Sequence, residues 1–322
     1  MTDECGRVWS IVLAGGEGER MRAFAERWLG CHVPKQYCTF VGTRSMFQHT
    51  MDRVAEISAP EHTLAVIARA HRPIALGQLA GRSSVGVIAQ PVNRDTASGI
   101  LLGLTYVRRQ DPNAMVAIFP SDHFVSPEHR FLRAVRSAIR AAAHLEDRLV
   151  LVGVAPDSLE LDYGWITPGQ DVGWSGEHRV RTVHSFVEKP AREEAMRIRE
   201  AGGLWNTMVV AGRASTFWAL GRKHVPIVMP HFDHLCEALG TPRYAQVLES
   251  IYAVLPRLNF SADLLEKAST AVAVLSSGAF SGATGADLNG SRRPSSTSAK
   301  RPRFRPCSMR PADRAGRQGS PR

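Results

Sequence analysis

The sequence predicts an α/β fold with a mostly parallel sheet carrying helices on both faces. Two observations point there. Five short runs, Trp9–Ala14, Thr63–Ala68, Val85–Gln90, Met115–Pro120 and Leu149–Val154, are nearly continuous Val, Ile, Leu and Ala. That is the pattern of strands buried on both sides, where period-2 alternation disappears. Between them lie helix-like runs: Glu19–Trp28, Met46–Ile57, Pro73–Leu79, Thr96–Arg109 and Pro127–Leu145. Strand–helix alternation on this scale means βαβ units.

Each element has its own justification. Thr96–Arg109 carries a helical stripe of Ile100, Leu101, Leu104 and Val107. After Val154 the rhythm changes. "YGWITP", "VRTVHSFVEKP" and "WNTMVVAG" read as shorter strands between turn residues, followed by helices over Ala191–Ala201, Ala214–His224 and Tyr244–Val254. This half is expected to extend the sheet and complete a site that the first half begins. From about Ser276 the chain is rich in Ser, Gly, Pro and Arg without periodicity. Such a segment buries too little apolar surface to offset its ordering entropy, and disorder is expected.

Composition excludes several classes of function. The 322 residues are 44% hydrophobic and 22% charged, as in an ordinary soluble domain. No run approaches the roughly 20 apolar residues of a membrane span, and the polar "MTDECGRVWS" start does not read as a signal peptide. Five cysteines without a CxxC pair suggest reduced thiols and a cytoplasmic protein. The net charge of +10 is carried almost wholly by 291–322, with ten Lys/Arg and one Asp; the other 290 residues hold 30 basic and 29 acidic groups. A nucleic-acid-binding face is therefore not expected of the body, and a single lysine in the tail argues against a nucleic-acid or membrane arm. The "HFDHLC" cluster (His231, His234, Cys236) matches no common zinc spacing.

The chemistry-bearing residues cluster at strand ends. "LAGGEGERM" follows the first strand, with Leu13, Ala14, Gly15, Gly16, Gly18 and Arg20. It lacks the last glycine of a dinucleotide fingerprint and the Gly-Lys-Ser/Thr of a P-loop. Glycines can still bring backbone N–H groups close to an anion, beside a helix N-terminus and an arginine fork. Taken alone, the loop suits a phosphate cradle and a plain strand–helix turn equally. Lys35 follows in "HVPKQY", its backbone stiffened by Pro34. "IAQPVNRDTASG" ends a buried strand in Asn93, Arg94, Asp95 and Thr96, suited to a helix cap or to ligand contact at a sheet's carboxyl edge. Asp122 of "AIFPSDHFV" also follows a strand; it can hold Mg²⁺ or cap the next helix. "VEKP" places Glu188, whose carboxylate can accept from sugar hydroxyls, beside Lys189, whose ammonium can hold a phosphate.

In combination, "LAGGEGERM", "PKQY", "QPVNRDTA", "PSDH", "YGWI", "FVEKP", "WNTMVV" and "FSADLLEKA" resemble the sugar-1-phosphate nucleotidyltransferases in order and spacing over about residues 7–275. "PKQ", "PSDH" and "NRDTA" are most similar to their mannose-1-phosphate guanylyltransferase branch. The resemblance implies a Rossmann-like, glycosyltransferase-A-type fold, with a nucleotide half over about 1–155 and a sugar-phosphate half over about 156–275. It implies conversion of GTP and mannose 1-phosphate to GDP-mannose and pyrophosphate by in-line attack, with Mg²⁺ as cofactor. Leu13, Ala14, Gly15, Gly16, Gly18 and Arg20 would then hold the nucleotide, and Gln90, Arg94 and Thr96 would lie near base and ribose. Lys35 would stabilise the transferring phosphate and Asp122 would bind the metal. Catalysis would rest on Arg20, Lys35 and Asp122. Tyr163, Gly164, Glu188, Lys189 and Asn206 would line the sugar-phosphate pocket.

The sequence also departs from that family. Asp95 stands where Asn is usual, and Met208 where many members have Gly. A "WSDVG"-like motif, source of a second metal carboxylate, is missing after Ala271–Val274; the chain reads "VAVLSSGAFSGATGADLNG". One choice of codons for Gly282–Asn289, read one base earlier, encodes Trp-Ser-Asp-Trp-Gly-Arg-Pro-Glu-Arg. The segment 276–322 is thus expected to be a frameshift product. Two alternatives follow: a nucleotide-binding protein of the same fold with weak or no turnover, or a nucleotidyltransferase for another sugar 1-phosphate.

Overall fold

The computed structural model describes residues 8–18, 32–277 and 281–284. The expected helix over Glu19–Trp28 and most of the tail lie outside those residues. Element numbers below run over the described elements.

Strands β1 (Val8–Ala14), β2 (Thr63–Ala68), β3 (Gly86–Gln90) and β4 (Met115–Pro120) pair in parallel in the order β3-β2-β1-β4. β6 (Leu149–Val154) and β10 (Val272–Ser277) are parallel to each other. The antiparallel β9 (Leu204–Arg213) lies between β4 and β6 and joins the two sets. β8 (His178–Glu188) and β7 (Gly164–Ser175) complete a nine-stranded sheet. The start of β7 also pairs with β9 at Trp165 and Trp205.

Helices cover both faces, which is why the strands read as unbroken apolar runs. One core lies between the sheet and α3 (Asp95–Gln110), α6 (Ala214–His224), α7 (Met229–Ala238) and α8 (Tyr244–Val254), with Ile11, Val66, Ile118 and Leu151 from the strands. The other packs α1 (Met46–Ala55), α2 (Arg72–Gln78) and α4 (Glu128–His144) against Val12, Ile67, Phe119 and Val152. Successive strand residues thus serve opposite cores. Each such fully buried side chain contributes about 1.5–3 kcal/mol. α1 begins with a reciprocal capping box between Ser45 and Gln48. A smaller cluster of Trp165, Trp205, Ala195 and Ile198 sits beneath α5 (Arg192–Glu200).

Two sequence expectations are corrected. β7, β8 and β9, expected as shorter strands, are the longest in the sheet, and β7 and β8 form a long antiparallel ladder. Chain order does not end at Leu275: Ser276 and Ser277 complete β10, where they are held by β6, and Ser276 also by β8. Further on, Ser281–Thr284 forms β11, antiparallel to the four-residue β5 (His123–Ser126).

Candidate active site

The carboxyl edge of the parallel strands opens into a cleft of about 860 Å³, in the range of ligand-binding cavities. Its first wall grows from β1. The chain leaves Ala14 into Gly15–Gly18, and the "PKQY" segment folds back beneath it as a single 3₁₀ turn, Lys35–Tyr37. Gln36 Nε2 donates to the carbonyls of Ala14 (3.0 Å) and Gly16 (2.8 Å), and Tyr37 Oη donates to Ala14 (3.0 Å). These bonds fix the loop against the turn that carries Lys35. Gly18 is required twice over: its φ is +65°, and a Cβ there would stand 3.0 Å from the Lys35 nitrogen.

Lys35 is 9% exposed. Its ammonium lies 3.1 Å from Asp122 Oδ2, and the Asp122 side chain keeps 41% of its surface, within the cleft. Asp122 follows β4, whose end is tied to β1 by the Ser121 hydroxyl donating to Leu13 O (2.7 Å). Burial pushes the Asp122 carboxyl up; Lys35 and His123 outweigh it, and the net displacement is below the ordinary carboxylate value. The anion is therefore the resting form.

The second wall lies across the cleft. Tyr163, Gly164, Glu188, Lys189 and Asn206 all line it. Burial raises the Glu188 carboxyl, opposed by Lys189 and the Ser261 hydroxyl. β9 bulges after Asn206, whose Oδ1 accepts the Met208 amide at 3.0 Å. Among the described residues, the non-glycine positions with positive φ are Asp95 (+67°), Lys189 (+51°) and Met208 (+56°), and all three line this cleft. Backbone strain gathered at one cavity marks a site held in shape by its surroundings. Two of these are the family departures: Asp95 and Met208 occupy left-handed backbone that Asn and Gly adopt more easily.

Most expected site residues meet here. Leu13, Gly15, Gly16, Gly18, Lys35, Gln90, Thr96 and Asp122 line the cleft together with the second-wall residues. Ala14 is buried and acts through its carbonyl. Arg94 stands elsewhere than expected: its guanidinium donates to the carbonyls of Tyr252 (3.0 Å) and Ala253 (3.2 Å), at the end of α8. Arg20 lies outside the described residues. Asn93, named above as a candidate for ligand contact, lines the cleft too, and the sequence singled out none of Gln36, Ser121, Trp205 and Arg257, which also line it. Gln36, Ser121 and Trp205 carried a signal in their places in "PKQY", "PSDH" and "WNTMVV", and Arg257 carried none. Asp263 has a local role, accepting from the Asn259 amide at 2.8 Å in the turn Phe260–Leu265. His231, His234 and Cys236 sit on α7; among the described residues no group of three His, Cys, Asp or Glu could hold a metal. Nor is any described helix long and apolar enough to cross a membrane.

Mg²⁺ fits a site of this kind without a protein cage. It commonly takes one or two carboxylates and fills its shell with phosphate and water oxygens. Asp122, ionised and open to a phosphate-sized space, supplies such a carboxylate.

These features define a nucleotidyl-transferring fold, and comparison agrees. The nucleotidyl transferase family model matches residues 9–237. A mannose-1-phosphate guanylyltransferase of Sinorhizobium fredii is 26% identical over 280 residues, covering 85% of this chain and 53% of the relative. The xanthan biosynthesis protein XanB of Xanthomonas campestris is 32% identical over 225 residues, 69% of this chain and 45% of the relative. A crystal structure described as mannose-1-phosphate geranyltransferase from Thermus thermophilus superposes with a TM-score of 0.74 at 26% identity, over 87% of this chain and 76% of that one. The chain belongs to the nucleotidyl transferase family. It spans about half the length of these curated relatives.

Proposed function

We propose that the chain transfers a guanylyl group from GTP to mannose 1-phosphate, releasing pyrophosphate. The observation that carries this reading is one cleft with two unlike walls: a glycine loop with Lys35 and Asp122 on one side, and Glu188, Lys189, Tyr163 and Asn206 on the other. The first wall suits a triphosphate and the second a phosphorylated sugar. Relatives named as mannose-1-phosphate guanylyltransferases support the choice of substrates.

An oxygen of the sugar phosphate attacks the α-phosphorus of the nucleotide. A new P–O bond forms as the bond to the β-phosphate oxygen breaks, and pyrophosphate leaves with that electron pair. The attacking phosphate is already an anion near neutral pH, its second pKa being about 6, so no side chain need remove a proton. The protein's work is positioning and charge. Backbone N–H groups of Gly15–Gly18 hold phosphate oxygens, and Arg20 adds a bidentate fork. Lys35, kept in the cleft by Asp122, meets charge as it builds on the transferring phosphate. Lys189 takes the sugar's phosphate and Glu188 accepts from a sugar hydroxyl. Asp122 would hold Mg²⁺, which when bound neutralises phosphate charge.

A second reading is nucleotide binding with weak turnover. β11 supports it: position 284 pairs with His123, one residue from Asp122, and holds Thr. With the codons chosen above, a shifted-frame Asp codon would share two of its bases with the Thr284 codon, which would bring the carboxylate of the missing motif to this register. Pyrophosphate release with Mg²⁺, across a grid of nucleoside triphosphates and sugar 1-phosphates, decides between the readings. Release confined to GTP with mannose 1-phosphate supports transfer. GTP binding without release from any pair supports the second reading, and release from another pair replaces the substrates proposed.

A further inference from the structure

We propose that Tyr252 is a positioning residue that sets which edge of the Gln90 carboxamide faces the nucleotide, and so which base the cleft accepts. The inference rests on the reading that Gln90 faces the base. Tyr252 belongs to α8, on the helical layer behind β3, and is 1% exposed. Its hydroxyl donates to Gln90 Oε1 at 3.2 Å and lies 3.4 Å from Ser98 O. Burial pushes the phenol far above its ordinary value, so it remains a donor at any working pH.

The setting of Gln90 is narrow. It ends β3, is 4% exposed, and lines the cleft. A Cβ at Gly15 would stand 2.5 Å from Gln90 Nε2, and one at Gly99 would stand 3.4 Å from Oε1. The carboxamide is thus wedged between the phosphate loop and the first turns of α3. These two glycines line the cleft with Leu13 and Val66, an apolar lining suited to a planar ring. With Oε1 engaged by Tyr252, the edge turned toward Gly15 is the N–H donor. A donor recognises a ring carbonyl, as in a 6-oxopurine, and rejects a 6-amino group. Discrimination of this kind is strong because the wrong base leaves a buried polar group unpaired. Arg94, bonded to the carbonyls of Tyr252 and Ala253, anchors the end of α8 and keeps the phenol in place.

Calorimetric titration of the full chain with GTP and with ATP tests this in the wild type, Tyr252→Phe, Gln90→Ala, Gln90→Glu and the Phe/Ala double variant. The wild type should prefer GTP. Tyr252→Phe keeps the ring and its packing, yet should lower the GTP-over-ATP ratio at least threefold. The double variant should match Gln90→Ala alone, because Tyr252 acts through Gln90. Gln90→Glu keeps the acceptor for Tyr252 and removes the donor, so it should lower the same ratio; this arm stands even where Tyr252→Phe folds poorly. A wild-type ratio in Tyr252→Phe while Gln90→Ala loses selectivity would overturn the inference and leave the base subsite intact. Additive losses in the double variant would also overturn it. An unchanged ratio in Gln90→Ala would remove Gln90 from the base subsite, and with it the reading on which the inference stands.

Discussion

At the scale of single residues, function depends on groups held where their own preferences do not put them. Lys35 is nearly buried and faces one carboxylate, and Asp95, Lys189 and Met208 keep left-handed backbone around the same cavity. Gly15 shows how little room is left. In Gly15→Ala the new methyl meets the Gln90 amide, so overpacking should cost about 1–3 kcal/mol of stability, and GTP affinity should fall, read by chemical denaturation and calorimetry. Unchanged values for both would show that the amide moves freely. The Lys35–Asp122 pair predicts a pH dependence. The folded carboxyl titrates below its unfolded value, so the pair's stabilisation is complete above about pH 4 and is lost as pH falls through the lower folded value. The stability difference between wild type and Asp122→Asn should therefore shrink below pH 4. A difference that stays constant from pH 6 to pH 3 would contradict the pairing. Lys35→Met should lower turnover by about 10²-fold or more, the scale for losing one preorganised charge-stabilising group.

At the scale of elements, much was legible and the remainder has physical reasons. Thr63–Ala68, Met115–Pro120 and Leu149–Val154 match the expected strands residue for residue, as do the helices Ala214–His224 and Tyr244–Val254. Burial on both faces writes a strong local signal. β5 carries almost none: it is four residues long with Val125 its one buried position, and it is held by a strand far along the chain. α7 was read only as a cluster of His231, His234 and Cys236, although Met229, Phe232, Leu235 and Ala238 form its buried face. The partners of Arg94, two carbonyls at the far end of α8, are likewise distant in the chain and leave no local pattern. The cleft residues were legible where a strand end and a polar cluster coincided, as at Gly15, Gln90 and Asp122. β11 brings its own test. If position 284 has lost a metal carboxylate, Thr284→Asp should tighten Mg²⁺-dependent GTP binding and raise pyrophosphate release about tenfold or more. No gain in either would remove that explanation, as would a gene whose shifted frame does not encode Trp-Ser-Asp.

At the scale of the whole molecule, two helical layers hold one nine-stranded sheet, and the cleft forms where strand ends of both halves meet. The antiparallel β9 runs through the middle of the sheet, so the two walls of the cleft share a continuous hydrogen-bonded frame. Ligand at either wall should therefore stabilise the fold as a unit. Saturating GTP at about 100 times its Kd should add about 2.7 kcal/mol to unfolding, seen as a rise in Tm.

Guanylyl transfer to mannose 1-phosphate is the proposed reaction. Phosphorus NMR of the full chain with GTP, mannose 1-phosphate and Mg²⁺ follows that reaction directly. The sugar monophosphate signal should disappear, matched by equal growth of the GDP-mannose diphosphate and pyrophosphate signals, with the rate cut about 10²-fold or more by Lys35→Met. Unchanged GTP and mannose 1-phosphate signals after prolonged incubation, or an equal rate in Lys35→Met, would contradict it.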